Sequence, residues 1–200
     1  MRVVSILILI TVLIAIYWTI DDGSRDEDQE RSPERSDEPD VYGQRIQFNQ
    51  LKPDGSLHYR MFADAIRQYD GQQLTYMDAP FLHLRSPQQP PWDIRSIKGS
   101  ITNQETAQGV TEEVVYLQDN VRMVQEHPER GTVTLRSESF YLYPDREYAE
   151  TTQNVTIDTE VGRTVAAGMS TDMQTGVITL SSNATQRVHT IVLPDQFKKS

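Results

Sequence analysis

Past residue 41, apolar and polar side chains take turns along the chain. In "SLHYRMFAD", Leu57, Tyr59 and Met61 share one face, while His58 and Arg60 share the other. "NVRMVQE" sets Val121 and Met123 against Arg122, and "TVTLRSESFYLY" sets Val133 and Leu135 against Thr134 and Arg136. A period of two marks a half-buried strand, because successive side chains of an extended chain point to opposite faces. The phase blurs at "FYLY", where both faces read as apolar. "GVITLSS" and "HTIVLP" are short and β-branched, which suits a pleated surface. The best helix candidate is "RMFADAIRQY", and it starts inside a strand pattern. The region 41–200 therefore reads as one all-β domain.

A weak repeat runs through it. "FADAIRQYDGQQLTYMDAPFLHL", "SIKGSITNQETAQGVTEEVVYLQDNVRMV", "SESFYLYPDREYAETTQNVTI" and "AAGMSTDMQTGVITLSSNATQRV" each read as strand, turn and second strand. In the last three the second strand passes through Asn120, Asn154 or Asn183, at separations of 34 and 29 residues, so the unit is a variable hairpin. Stacked hairpins form a solenoid-like or jelly-roll stack in which each unit covers its neighbour's apolar face. Such a stack ends in edge strands, and an uncapped edge is a template for another β-chain.

Ahead of the strands the pattern changes twice. From Val3 to Ile20 there is no charge, and only Ser5, Thr11 and Thr19 are polar. As a helix this run is about 27 Å long at 1.5 Å per residue, which matches the hydrocarbon core of a bilayer. It ends in Ile16, Tyr17, Trp18, Thr19 and Ile20, too bulky for a signal-peptidase site, while Tyr17 and Trp18 suit a headgroup boundary. Residues 1–20 are thus expected to be an uncleaved anchor. Arg2 and the α-amino group favour a cytoplasmic N-terminus, which puts the rest outside the inner membrane. Residues 21–40 hold ten acids against three arginines and no Val, Ile, Leu or aromatic residue. That segment reads as a self-repelling disordered tether. It lacks the spacing of an EF-hand calcium loop.

Composition then removes function classes. The 200-residue chain has a formal net charge of −10, and the tether accounts for −7 of it. An acidic chain is a poor nucleic-acid binder, since phosphates demand a basic surface. No cysteine is present, which excludes disulfides, thiolate metal sites and a cysteine nucleophile. The four histidines, His58, His83, His127 and His189, show no metal-site spacing. Glycine-rich phosphate loops and the GxSxG elbow are missing, so no cofactor, metal or catalytic residue is expected. Carboxylate pairs such as Glu112 and Glu113 would serve a glycan hydrolase or lyase only if acids converged in a cleft. Two sequons, Asn154-Val-Thr156 and Asn183-Ala-Thr185, fall in the second strands of the repeat. With no ATP site in sight, any energy-driven process must draw on a partner.

One set of residues resembles a known family. "LKPDGSLHYRMFAD", then "LTYMDAPFL" and "PPWDIRS", following an anchor and a tether, is similar to LptC. The LptC family is the bitopic component of lipopolysaccharide export in Gram-negative bacteria. Its Pro-x-Gly-x-Leu-x-Tyr-Arg pattern is matched by Pro53, Gly55, Leu57, Tyr59 and Arg60. A strand-opening proline is matched by Pro80, a mid-chain tryptophan by Trp92, and a glycine pair by Gly162 and Gly168. The resemblance implies a twisted, open β-jelly roll behind one transmembrane helix, with an apolar groove for the lipid. It implies receipt of lipopolysaccharide from the LptB–LptF–LptG transporter and delivery to LptA. The N-terminal end of the jelly roll would abut LptF, and the C-terminal edge would pair with LptA.

Alternation combined with that resemblance puts Ile46, Phe48, Tyr59, Met61, Met77, Phe81, Val121 and Met123 in the groove. It makes Val188, His189, Thr190, Ile191, Val192 and Leu193 the docking edge, stopped by Pro194, which has no amide hydrogen. A membrane-tethered adaptor that carries no lipid is the alternative, and a filled core would favour it.

Overall fold

The computed structural model describes residues 38–193, except Pro53, residues 87 and 88, and residues 107 and 108. The anchor and nearly all of the tether lie outside the described residues, as do Pro53 and Pro194.

Among the described residues fourteen strands follow one another: β1 Val41–Leu51, β2 Leu57–Tyr69, β3 Leu74–Asp78, β4 Phe81–Leu84, β5 Trp92–Arg95, β6 Lys98–Glu105 and β7 Thr111–His127. After these come β8 Gly131–Tyr143, β9 Tyr148–Thr151, β10 Val155–Thr159, β11 Gly162–Ala166, β12 Gly168–Asp172, β13 Val177–Ser181 and β14 His189–Val192. All pair antiparallel, as hairpin connections allow. Among the described residues no helix is long and apolar enough to cross a membrane.

The long strands β1, β2, β7 and β8 each serve two layers. In the first layer the order is residues 46–51 of β1, residues 57–62 of β2, β4, β5, residues 121–127 of β7, residues 131–137 of β8, β10, β11 and β14. In the second it is residues 41–44 of β1, residues 65–69 of β2, β3, β6, residues 111–118 of β7, residues 139–143 of β8, β9, β12 and β13. Apolar side chains from both layers form one core. The layers join along a crease where the long strands cross over, and they meet again at a mouth formed by strand ends and turns.

The crease explains what the pattern left ambiguous. β7 crosses it with an extra residue, and Asp119 and Asn120 take left-handed φ of 64° and 60°. In β2 the inward side chains run Tyr59, Met61, Ala63 and then Ile66. That slip imitates helical spacing, and "RMFADAIRQY", the best helix candidate of an otherwise strand-patterned chain, is strand. Likewise β8 sends Leu135 inward before the crease and Phe140 and Leu142 inward after it. Tyr141 and Tyr143 at "FYLY" face out and stack beside Tyr116 and Tyr148.

The repeat is visible as geometry. β2 and β8 both end in a tyrosine, a one-turn 3-10 segment and a left-handed residue, Gln73 after Asp70–Gln72 and Glu147 after Pro144–Arg146. Each then continues into two short strands. The asparagines fit less well. Asn120 is in β7 and Asn154 just precedes β10, but Asn183 lies in a turn, where its side chain accepts from the amides of Thr185 and Gln186.

Candidate functional site

Across the first layer the strand register lines up Phe48, Met61, Leu82, Ile94, Met123, Leu135 and Ile157. All seven belong to the core or pack on it. Six steps at ~4.8 Å between strands make an inward apolar row about 29 Å long, from the edge strand β1 to β10. Leu82, Ile94, Leu135 and Ile157 belong to this row and were missed by parity counting within single segments.

The expected groove residues divide. Tyr59, Met61, Met77, Val121 and Met123 are wholly buried between the layers, Phe48 packs against them, and Ile46 is half-buried opposite Ala63. Phe81 is elsewhere: it stacks on Phe62 at 5.8 Å, on the outer face, while Leu82 and Leu84 point in. The shared parity of Met77 and Phe81 is broken by Ala79, whose φ of 48° resets the phase between β3 and β4. No open groove separates the layers among the described residues; the inward side chains touch.

At the mouth, polar groups tie one layer to the other. The Tyr59 hydroxyl donates to Glu113 Oε1 at 2.5 Å. Burial holds the Glu113 carboxyl above its ordinary range, against the opposing effect of the Tyr59 hydrogen bond. Burial first, and then the Glu113 charge, push the Tyr59 phenol up. Lys52 Nζ lies 3.1 Å from Glu147 Oε1, and the buried Glu147 Oε2 has no hydrogen-bond partner among the described residues. A concavity of about 430 Å³ opens here, lined by Gln50, Leu51, Lys52, His58 and Asp145. Glu112, next to Glu113 in β7, points the other way and meets Arg146 Nε at 2.5 Å. The two adjacent acids thus serve different contacts on opposite faces.

Each histidine has a local setting. His58 packs on Tyr59, His83 Nδ1 meets Asp93 at 2.7 Å, His127 Nδ1 accepts the amides of Glu129 and Arg130, and His189 is exposed on β14. No group of three metal-ligating side chains occurs among the described residues.

Among the described residues β1, β13 and β14 each pair on one side only. In β14, His189, Thr190, Ile191 and Val192 are all exposed, as are the flanking Val188 and Leu193. The Leu193 amide donates to Val161 O at 3.0 Å, which sets the alternation along this pair. His189, Ile191 and Leu193 therefore direct their amides at β11, while Thr190 and Val192 direct theirs at the free edge. Thr164 and Thr190 sit opposite one another with hydroxyls 2.9 Å apart, as a non-hydrogen-bonded pair should.

The family-pattern glycines sit where backbones come close. A Cβ on Gly162 would collide with the Ile191 carbonyl oxygen of β14, and one on Gly168 would lie 2.7 Å from the Thr151 carbonyl oxygen. Gly55, at φ 82°, closes the β1–β2 turn by donating to Lys52 O, and Asp54 caps Ser56. Arg60 donates to Asn49 at 2.9 Å across β1 and β2, and Trp92 is buried in the core with its Nε1 unpartnered among the described residues.

These features define an open-edged, two-layered antiparallel β-module with an apolar interior. The crystal structure of LptH, the LptA-homologous periplasmic component of the lipopolysaccharide transport device from Pseudomonas aeruginosa, has a similar fold, with a TM-score of 0.53 at 11% identity over 68% of this chain and 95% of that one. Comparison with curated proteins finds no match. The sequence matches the family described as "Lipopolysaccharide-assembly, LptC-related" over residues 5–189, and the chain belongs to that family.

Proposed function

We propose that this lipopolysaccharide-assembly component takes the acyl chains of lipopolysaccharide between its two layers and passes the lipid along the stack. The supply is the LptB–LptF–LptG transporter, met at the β1 end, and the recipient is LptA, paired to β14. Residues 1–20 hold the chain in the inner membrane with the β-domain in the periplasm. The protein acts by binding, without a catalytic step or cofactor, and ATP hydrolysis in the transporter gives direction.

The observation that carries this reading is the unbroken inward row from Phe48 to Ile157, which runs across the strands from one free edge towards the other. An exposed methylene costs about 0.8 kcal/mol in water, so a multi-chain lipid needs continuous cover. Because the inward side chains touch, the packed arrangement is the empty state, and loading parts the layers at the mouth.

The packed interior also favours a second reading, an adaptor that joins β-edges and carries no lipid. Photocrosslinkers placed in cells at Met61 and Met123, with outward-facing Glu126 as control, separate the two. Lipid carriage yields lipopolysaccharide adducts at the inward positions only; absence of adducts at both inward positions leaves the adaptor.

A further inference from the structure

We propose that the outer face of the first layer holds a phosphate group between the guanidinium groups of Arg95 and Arg122. Two neighbouring transverse rows on that face carry five arginines, Arg60, Arg95, Arg122, Arg136 and Arg163, against two aspartates, Asp93 and Asp158. This is a basic surface on a chain of net charge −10.

Both aspartates are already engaged. Asp158 is shared by Arg136 and Arg163, and Asp93 is bonded to His83. Arg60 is bonded to Asn49. Arg95 and Arg122 remain: neither guanidinium group has a hydrogen-bond or ion-pair partner among the described residues.

Their placement is costly unless an anion fills it. Arg95 stands directly opposite Arg122, and Arg122 directly opposite Arg136. Like charges facing each other across antiparallel strands destabilise the pair. Arg95 is also held in place, its guanidinium 4.6 Å above the Phe81 ring, which stacks on Phe62. Between them lies a concavity of about 200 Å³ lined by Asp93, Arg95, Arg122 and Val124. Its size and its two forked donors suit a tetrahedral oxyanion, which guanidinium groups bind through paired N–H bonds. Asp93 sets the limit on the far wall, where its carboxylate disfavours a second anionic group.

The phosphate is either free or carried on a lipid headgroup, and calorimetry on the full chain in uncharged detergent distinguishes these. The probes are inorganic phosphate and dihexanoyl phosphatidic acid, titrated at constant ionic strength set with chloride. Saturable binding is expected, and Arg95→Gln and Arg122→Gln should each weaken it about tenfold or more. Lys98→Gln, at an exposed site on β6, leaves it unchanged. Tighter binding of the lipid probe assigns the headgroup, and equal or weaker binding assigns the free anion. The site is overturned if neither probe saturates, or if Arg122→Gln binds as the parent does. Because both arginines are exposed, matching thermal melts confirm that the variants fold. The photocrosslinking result at Met61 and Met123 is unaffected either way.

Discussion

Glu113 gives the clearest pH signature of any single residue. Its folded pKa lies above its ordinary value because burial disfavours the charge. For a carboxyl raised in this way, the stabilisation is complete below the unfolded pKa and is lost as pH rises through the folded pKa. Glu113→Gln keeps an acceptor for Tyr59 but never ionises. Its melting temperature should exceed the parent's at pH 7 and converge with it below about pH 4, near the reference carboxylate pKa; a variant that melts lower at every pH contradicts this. Met123, with no exposed surface, should cost about 2–5 kcal/mol as Met123→Ala in denaturant titrations. Met61→Asp and Val121→Asp are harsher still: an unpaired carboxylate in the packed core should unfold the domain and not selectively weaken lipid binding. At this scale the alternation was readable wherever a strand stays in one layer, as at Tyr59 with Met61 and Val121 with Met123. It failed at Phe81, because nothing in the sequence announces that Ala79 takes a left-handed turn.

Among the elements, β14 is the most exposed. The register sharpens what proline should do there, since Thr190 points its amide at the free edge and Ile191 points its amide at β11. If β14 docks LptA as proposed, Thr190→Pro should keep the circular dichroism and melting temperature of the parent and lose that capture. Ile191→Pro should instead lose a ladder bond, about 0.5–1.5 kcal/mol, and loosen β14 itself. If Thr190→Pro still captures LptA at full strength, the proposed docking at β14 is wrong. Gly162→Ala places a methyl against the Ile191 carbonyl and should release β14 to proteolysis while the core melts nearly as before. Proteolytic resistance equal to the parent's would contradict that role. The terminal strand was legible from "RVHTIVLP" because β-branched residues crowd it. β2 was harder, because its bend at the crease inserts a phase slip that single-segment periodicity reads as helical.

For the molecule as a whole, two layers that share four long strands can part at the mouth without breaking a ladder, since the crease is continuous backbone. The mouth is held by Tyr59 with Glu113 and by Lys52 with Glu147. The all-β class and the stack of hairpins were legible in the sequence, but the mouth was not. It joins Tyr59 to Glu113, 54 residues apart, and Lys52 to Glu147, 95 residues apart. The absence of native cysteine allows a direct test of whether the layers must open. Lys52→Cys with Asp145→Cys puts one thiol on each lip of the mouth, where a short cleavable bis-maleimide can join them. Lipopolysaccharide binding to the full chain is then measured before linking, after linking and after cleavage. Carriage between the layers requires binding that falls to background when linked and returns on cleavage; binding that is unchanged by the link would contradict it.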